Sequence, residues 1–126
     1  NNDIRLVVKE FPILNQSSLT AAKAGIAAQK QGKFPAFHKE MITYRGQVSD
    51  DSIMAAARSA RLDIEQFRED IASSATSAII DRTRAGAAAL GINGTPALVV
   101  GETIISGAVS SEELQNVIDL ERAKQG

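Results

Sequence analysis

The chain has 126 residues, 44% of them hydrophobic and 23% charged, which is the composition of one folded domain rather than of a disordered segment. Fourteen Lys and Arg against fifteen Asp and Glu leave a net charge of −1, so the basic footprint of a nucleic-acid binder and the polybasic patch of a membrane-surface protein are both missing. With no Cys and one His, these residues offer no Cys/His zinc site, iron–sulfur cluster or thiolate nucleophile, and neither metal nor cofactor is expected. No apolar run approaches the ~18 residues of a membrane span, and Asn1-Asn2-Asp3 has no leader character, so membrane insertion is not expected.

Ile4 to Val8 are rich in β-branched residues and run into Phe11-Pro12, which predicts a buried strand over 4–8. Ser17 or Ser18 can cap a first helix with Leu19, Ala22, Ile26 and Ala27 on one face, ended by Gly32. Pro35 suits the first turn of a second helix, whose Phe34, Phe37, Met41 and Tyr44 form one stripe before Gly46. Ser49 followed by Asp50-Asp51 opens a third helix that turns Ile53, Ala56, Ala57 and Ala60 inward. Asp63 with Gln66 reads as a capping box for a fourth, which buries Ile64, Phe67 and Ile71. Ser73 or Ser74 opens a fifth, with Ile79, Ile80, Thr83, Ala87 and Leu90 in line before Gly91, and its small residues at 85–89 invite close packing.

The period then changes. Ala97 to Val100 and Thr103 to Ile105 flank Gly101-Glu102, a hairpin signal. Ser110 with Glu113 forms a capping box for a last helix marked by Leu114, Val117, Ile118 and Leu120. The order is strand, five helices, hairpin, helix, an α/β chain with no repeat or linker, so a single domain over 1–126 is expected.

Few residues carry chemistry. His38 is the one imidazole, and a lone His on a helix is no triad. Asp50-Asp51 and Glu112-Glu113 stand in first helical turns, where capping accounts for both pairs. The stretch 91–96, Gly-Ile-Asn-Gly-Thr-Pro, lacks the Lys-Ser/Thr of a phosphate loop, and its Asn93-Gly94-Thr95 sequon is weakened by Pro96. As backbone it says more, because Thr95-Pro96 opens a strand, and a cis bond there would present Thr95 to an extended peptide able to add as a strand. An edge or simple turn is the competing reading.

The segment Gly91 to Gly101 (GINGTPALVVG), then Ile104-Ile105-Ser106-Gly107-Ala108 and the capped Ser110 to Leu114, resembles the C-terminal half of DsbA-like thiol–disulfide oxidoreductases. Val7-Val8-Lys9-Glu10-Phe11-Pro12-Ile13-Leu14 resembles the strand after that family's active-site helix. Ala27 to Phe34 with Phe37-His38 resembles the start of its helical insertion. The resemblance spans the whole chain in order and implies a thioredoxin-like fold, with parts at 4–14 and 92–125 and an inserted helical subdomain at about 16–91.

It further implies that Asn93, Gly94, Thr95 and Pro96 hold substrate polypeptide, and that the full protein oxidises or isomerises cysteines of exported proteins in the bacterial periplasm. The family's first strand and C-x-x-C helix would precede Ile4, so the sheet is expected to be incomplete. This chain has no catalytic residue of its own, whether as a fragment or as a relative that lost its redox half. In the family topology the missing strand lies between 4–8 and 97–100. The unpaired edges are expected to recruit a second copy, exchange elements or rearrange. The alternative is a non-catalytic peptide-binding module with a thioredoxin-like remnant, for which cysteine in the peptide is irrelevant. A glutathione-dependent enzyme on a related scaffold is a third reading, and nothing here resembles a dedicated glutathione site.

Overall fold

A computed structural model describes residues 3–13 and 15–126, in two compact units, Asn1–Gly86 and Ala87–Gly126. The first unit is helical: α1 (Gln16–Lys30), α2 (Phe34–Thr43), α3 (Asp50–Ser59), α4 (Ile64–Ala72) and most of α5 (Ser74–Ala89). The second holds the end of α5, an antiparallel hairpin of β1 (Ala97–Val100) and β2 (Thr103–Ser106), and α6 (Ser111–Gln125).

In the first unit α1 packs against α2, α3 and α4. Small residues on α1 make this possible, since Ala24, Ala27 and Ala28 are fully buried and let Phe37, Ile53 and Phe67 close over them. Phe37 and Phe67 meet as a tilted pair with centroids 5.7 Å apart, the geometry that the ring quadrupoles favour. Gly32, at φ 69°, ends α1 with its own N–H on Gln29 and that of Lys33 on Ala28, a Schellman closure. Ser49 and Ser52 cap α3 reciprocally, and Ile53, Ala56, Ala57 and Ala60 are buried along it.

Several expectations are corrected. No strand forms over 4–8, and Ile4 to Ile13 carry neither helix nor ladder. Among the described residues the one sheet is the hairpin, and β-branched composition supplies a preference but not the neighbour a strand needs. Leu14, the end of the expected part 4–14, lies outside the described residues. Asn15, rather than Ser17 or Ser18, caps α1, accepting the Ser18 N–H at 2.9 Å.

Asp63 accepts the Gln66 N–H at 2.9 Å, but its own N–H donates to Gln31 Oε1 at 2.9 Å rather than to Gln66. A residue of the α1 terminus thus completes the cap. Tyr44 leaves the α2 stripe because the helix ends at Thr43 and Tyr44 is extended and exposed. Ser73 rather than Ser74 opens α5, its hydroxyl accepting from the Ala75 N–H. Of the run 85–89, Ala87 is buried, whereas Ala85, Gly86, Ala88 and Ala89 are exposed, and a Cβ at Gly86 would meet nothing within 4 Å. Leu90 is exposed as well.

In the second unit the hairpin register is Ala97↔Ser106, Leu98↔Ile105, Val99↔Ile104 and Val100↔Thr103. Gly101, at φ 57°, supplies the left-handed backbone of the two-residue turn. Ser110 and Glu113 form the capping box of α6, where two hydrogen bonds from Ser110 hold the Glu113 carboxyl below the usual carboxylate range. The helix turns Leu114, Val117, Ile118 and Glu121 inward, while Leu120 is exposed.

Candidate functional site

The loop at 91–96 begins where α5 stops. Gly91, at φ 71°, bends the chain out of the helix, and the Ile92 N–H returns to the Ala87 carbonyl at 2.8 Å. Asn93, Thr95 and Pro96 are exposed and Gly94 is half-buried. A Cβ built on Gly94 would meet nothing within 4 Å, so the backbone there can be approached.

The Thr95–Pro96 bond is cis. The Pro96 carbonyl accepts the Gly107 N–H at 2.9 Å, which carries the hairpin pairing one step past Ala97↔Ser106. Among the described residues no hydrogen bond uses the backbone of Thr95. The four expected residues therefore form one open stretch leading into β1. It holds backbone donors and acceptors, an amide and a hydroxyl, but no titratable group, which suits holding a polypeptide rather than transferring a proton.

Behind the hairpin lies a residue that sequence reasoning missed. Glu121 on α6 is only 6% exposed, and its carboxylate accepts from Lys124 Nζ at 2.7 Å, Thr103 Oγ1 at 2.6 Å and the Glu102 N–H at 3.3 Å. The Lys124 and Thr103 bonds hold its pKa down at about 2, and the Lys124 ammonium is raised in turn. Its spacing was the available signal: 114, 117, 118 and 121 fall on one helix face.

In the first unit a cleft of about 480 Å³ opens beside the residues from Arg5 to Glu10. Glu10 sits in it against Gly25, where a Cβ would come within 2.6 Å of the Glu10 carboxylate, and burial pushes the Glu10 carboxyl up. His38 is exposed and stacked on Phe34 with centroids 5.1 Å apart, so the imidazole faces water and one ring. Asp50 and Asp51 occupy the first turn of α3, and Glu112 and Glu113 that of α6. Among the described residues no group of three or more His, Cys, Asp or Glu is arranged to hold a metal ion, and no described helix is long and apolar enough to cross a membrane.

The chain is similar to known proteins over nearly all its length. A thioredoxin-like oxidoreductase from Silicibacter pomeroyi matches in structure with a TM-score of 0.85 and 36% identity, over 94% of this chain and 67% of that one. A periplasmic thioredoxin-like protein from Salmonella enterica serovar Typhimurium matches with a TM-score of 0.74 and 27% identity, over 91% of this chain and 64% of that one. Among curated proteins, the Na(+)/H(+) antiporter NhaA of Herminiimonas arsenicoxydans is 27% identical over 121 residues, 96% of this chain. The chain spans about a fifth of that relative's length, 19%. The family model for the DSBA-like thioredoxin domain matches residues 2–119, and the chain belongs to that family of thioredoxin-like, oxidoreductase-related domains.

Proposed function

We propose that this chain is the polypeptide-holding part of a thiol–disulfide oxidoreductase acting on cysteines of exported proteins, and that Asn93, Gly94, Thr95 and Pro96 hold the substrate. The observation that carries this is the open Thr95 backbone placed directly ahead of β1. An extended polypeptide laid there gains main-chain hydrogen bonds whatever its sequence, as an enzyme with many protein substrates requires. The 126 residues contain no cysteine, so a thiolate must come from outside them, and they do not exchange disulfides alone. A periplasmic setting is supported by the similarity to the Salmonella periplasmic protein and suits disulfide chemistry.

The cysteine-free composition favours one second reading, a peptide-binding module with no redox step. Two experiments test and separate these readings. Unfolded peptides, with cysteine and with serine in its place, are titrated against the chain and its Thr95→Pro and Thr95→Ala variants. Loss of the N–H in Thr95→Pro should weaken binding, whereas Thr95→Ala keeps the backbone and should not. Absence of any binding would sink both readings. The mass of the native product after reduction and alkylation then decides between them, since alkylated cysteines support the oxidoreductase and their absence the module.

A further inference from the structure

Asn93-Gly94 is the one Asn-Gly pair in the sequence, and the fold has no need of its glycine. Gly94 is not among the glycines with positive φ, and a Cβ built on it would meet nothing within 4 Å, so neither backbone conformation nor packing excludes a larger residue. Asn93 is exposed, and among the described residues no hydrogen bond uses its side-chain amide or the Gly94 N–H. An amide carbon open to water thus stands next to an unhindered, uncommitted backbone nitrogen. The other described asparagines differ. Asn15 is held by the Ser18 N–H as the α1 cap, and Asn116 lies inside α6 before the β-branched Val117, where the next N–H belongs to the helix ladder.

We propose that Asn93 is a site of spontaneous deamidation, through which the loop at 93–96 loses its hold on polypeptide as the protein ages. The Gly94 nitrogen bonds to Asn93 Cγ as its proton passes to solvent, the Cγ–Nδ2 bond breaks, and ammonia leaves with a proton taken back from solvent. Water then opens the cyclic imide at one carbonyl or the other. One opening gives aspartate; the other gives isoaspartate, in which the main chain runs through the side-chain CH2 and is one carbon longer. The net change is one water consumed and one ammonia released, with no change of oxidation state. Either product sets a carboxylate two residues before Thr95, near the carbonyl oxygens that an added strand would offer to the Thr95 N–H. Isoaspartate also lengthens the backbone that leads into β1. The consequence for binding rests on the reading of 93–96 as the polypeptide holder, and a loop that holds polypeptide stays open to water in the whole protein.

Peptide mapping of the protein as its native cell makes it, during incubation in mildly alkaline buffer, tests this. Trypsin releases Asn93 and Asn116 in a single peptide, 85–122, because no Lys or Arg lies between Arg84 and Arg122, so Asn116 serves as the internal control. Asn93 should convert from amide to acid roughly tenfold or more faster than Asn116, and Gly94→Ala, whose methyl has room, should slow it by a similar factor. Unfolded peptide should bind the aged protein severalfold more weakly than the fresh protein, while Gly94→Ala keeps through the same incubation whatever affinity it starts with. Conversion at Asn93 no faster than at Asn116, or unaffected by Gly94→Ala, overturns the proposal. So does converted protein that binds peptide as tightly as fresh protein. Fresh protein that binds no peptide overturns the reading of the loop as a holder, and the consequence for binding with it, while the rate at Asn93 still decides the modification.

Discussion

Glu121 closes the hairpin turn through Thr103: the threonine hydroxyl donates to its carboxylate at 2.6 Å while the Glu102 N–H donates at 3.3 Å. The space this carboxylate fills is the space a side chain at residue 101 would need. A Cβ on Gly101 would come within 2.8 Å of the Glu121 carboxyl carbon. The same glycine supplies the left-handed backbone of the turn. Glu121 is ionised in the folded chain down to about pH 2, below the usual carboxylate range. Its contribution is therefore fully present above about pH 4.5 and fades as the pH falls from there towards 2. Glu121→Gln should lower the thermal midpoint at pH 7, and the gap from the unmodified chain should shrink steadily between pH 4.5 and 2. A gap that stays constant over that window would show that the charge plays no part.

Glu10 has the opposite sign. Burial raises its carboxyl above the ordinary value, so the folded chain gives up that proton less readily than the unfolded chain as the pH rises. Stability attached to this group is greatest below about pH 4.5 and is lost as the pH rises through the folded-state pKa. Glu10→Gln, which removes the charge and keeps the shape, should raise the thermal midpoint at neutral pH and leave it unchanged near pH 4. Thermal melts of the two chains across that range check both halves of the statement.

The two carboxylates show which parts of the fold were legible in the sequence. Some helix ends were, where the cap is purely local: Ser49 and Ser110 open α3 and α6, and Gly32 and Gly91 end their helices in the left-handed conformation, whereas Asn15 caps α1, Gln31 completes the α4 cap and α2 stops at Thr43. The hairpin was legible from Gly101 between two apolar runs. For Glu121 the spacing signals only the inward helix face; its partners are not legible, because they lie in a turn about twenty residues away in the chain and charged residues are rarely buried without such partners. The strand expected at 4–8 failed for the same reason in reverse, since a ladder belongs to two segments and the sequence displays only one. At 93–96 the proline and glycines gave the position of the loop, while what it meets depends on surfaces that local pattern does not encode.

Arg61 is the one described non-glycine residue with positive φ, at 57°. It follows the α3 cap Ala60, with its N–H on Arg58 and the Leu62 N–H on Ala57, a position that glycine fills without steric cost. Its carbonyl accepts from Lys33 Nζ, a bond that glycine retains. Arg61→Gly should therefore stabilise the chain by about 0.5–1 kcal/mol, and Arg61→Val, with a branched Cβ in the left-handed region, should destabilise it by a similar amount or more. Chemical denaturation of the three chains measures both changes, and a loss of stability in Arg61→Gly would contradict the steric argument.

Gln31 ties the end of α1 to the start of α4 with one amide group. Its Oε1 accepts the Asp63 N–H at 2.9 Å and its Nε2 donates to the Asp63 carbonyl at 3.0 Å, as a paired strand would. Both bonds go to backbone, so the Asp63 side chain stays free to cap Gln66. Gln31→Ala should cost about 1–2 kcal/mol, the net worth of two hydrogen bonds between exposed groups. Gln31→Glu keeps an acceptor for the N–H but sets a carboxylate against the Asp63 carbonyl, so it should recover less than half of that loss at pH 7 and more once protonated at low pH. Asp63→Ala removes a different bond, the helix cap, for about 1 kcal/mol. Because Gln31 holds only the Asp63 backbone, the losses in the double variant Gln31→Ala/Asp63→Ala should add to within about 0.5 kcal/mol. A much larger coupling would mean that the cap and the amide clamp form a single structural unit.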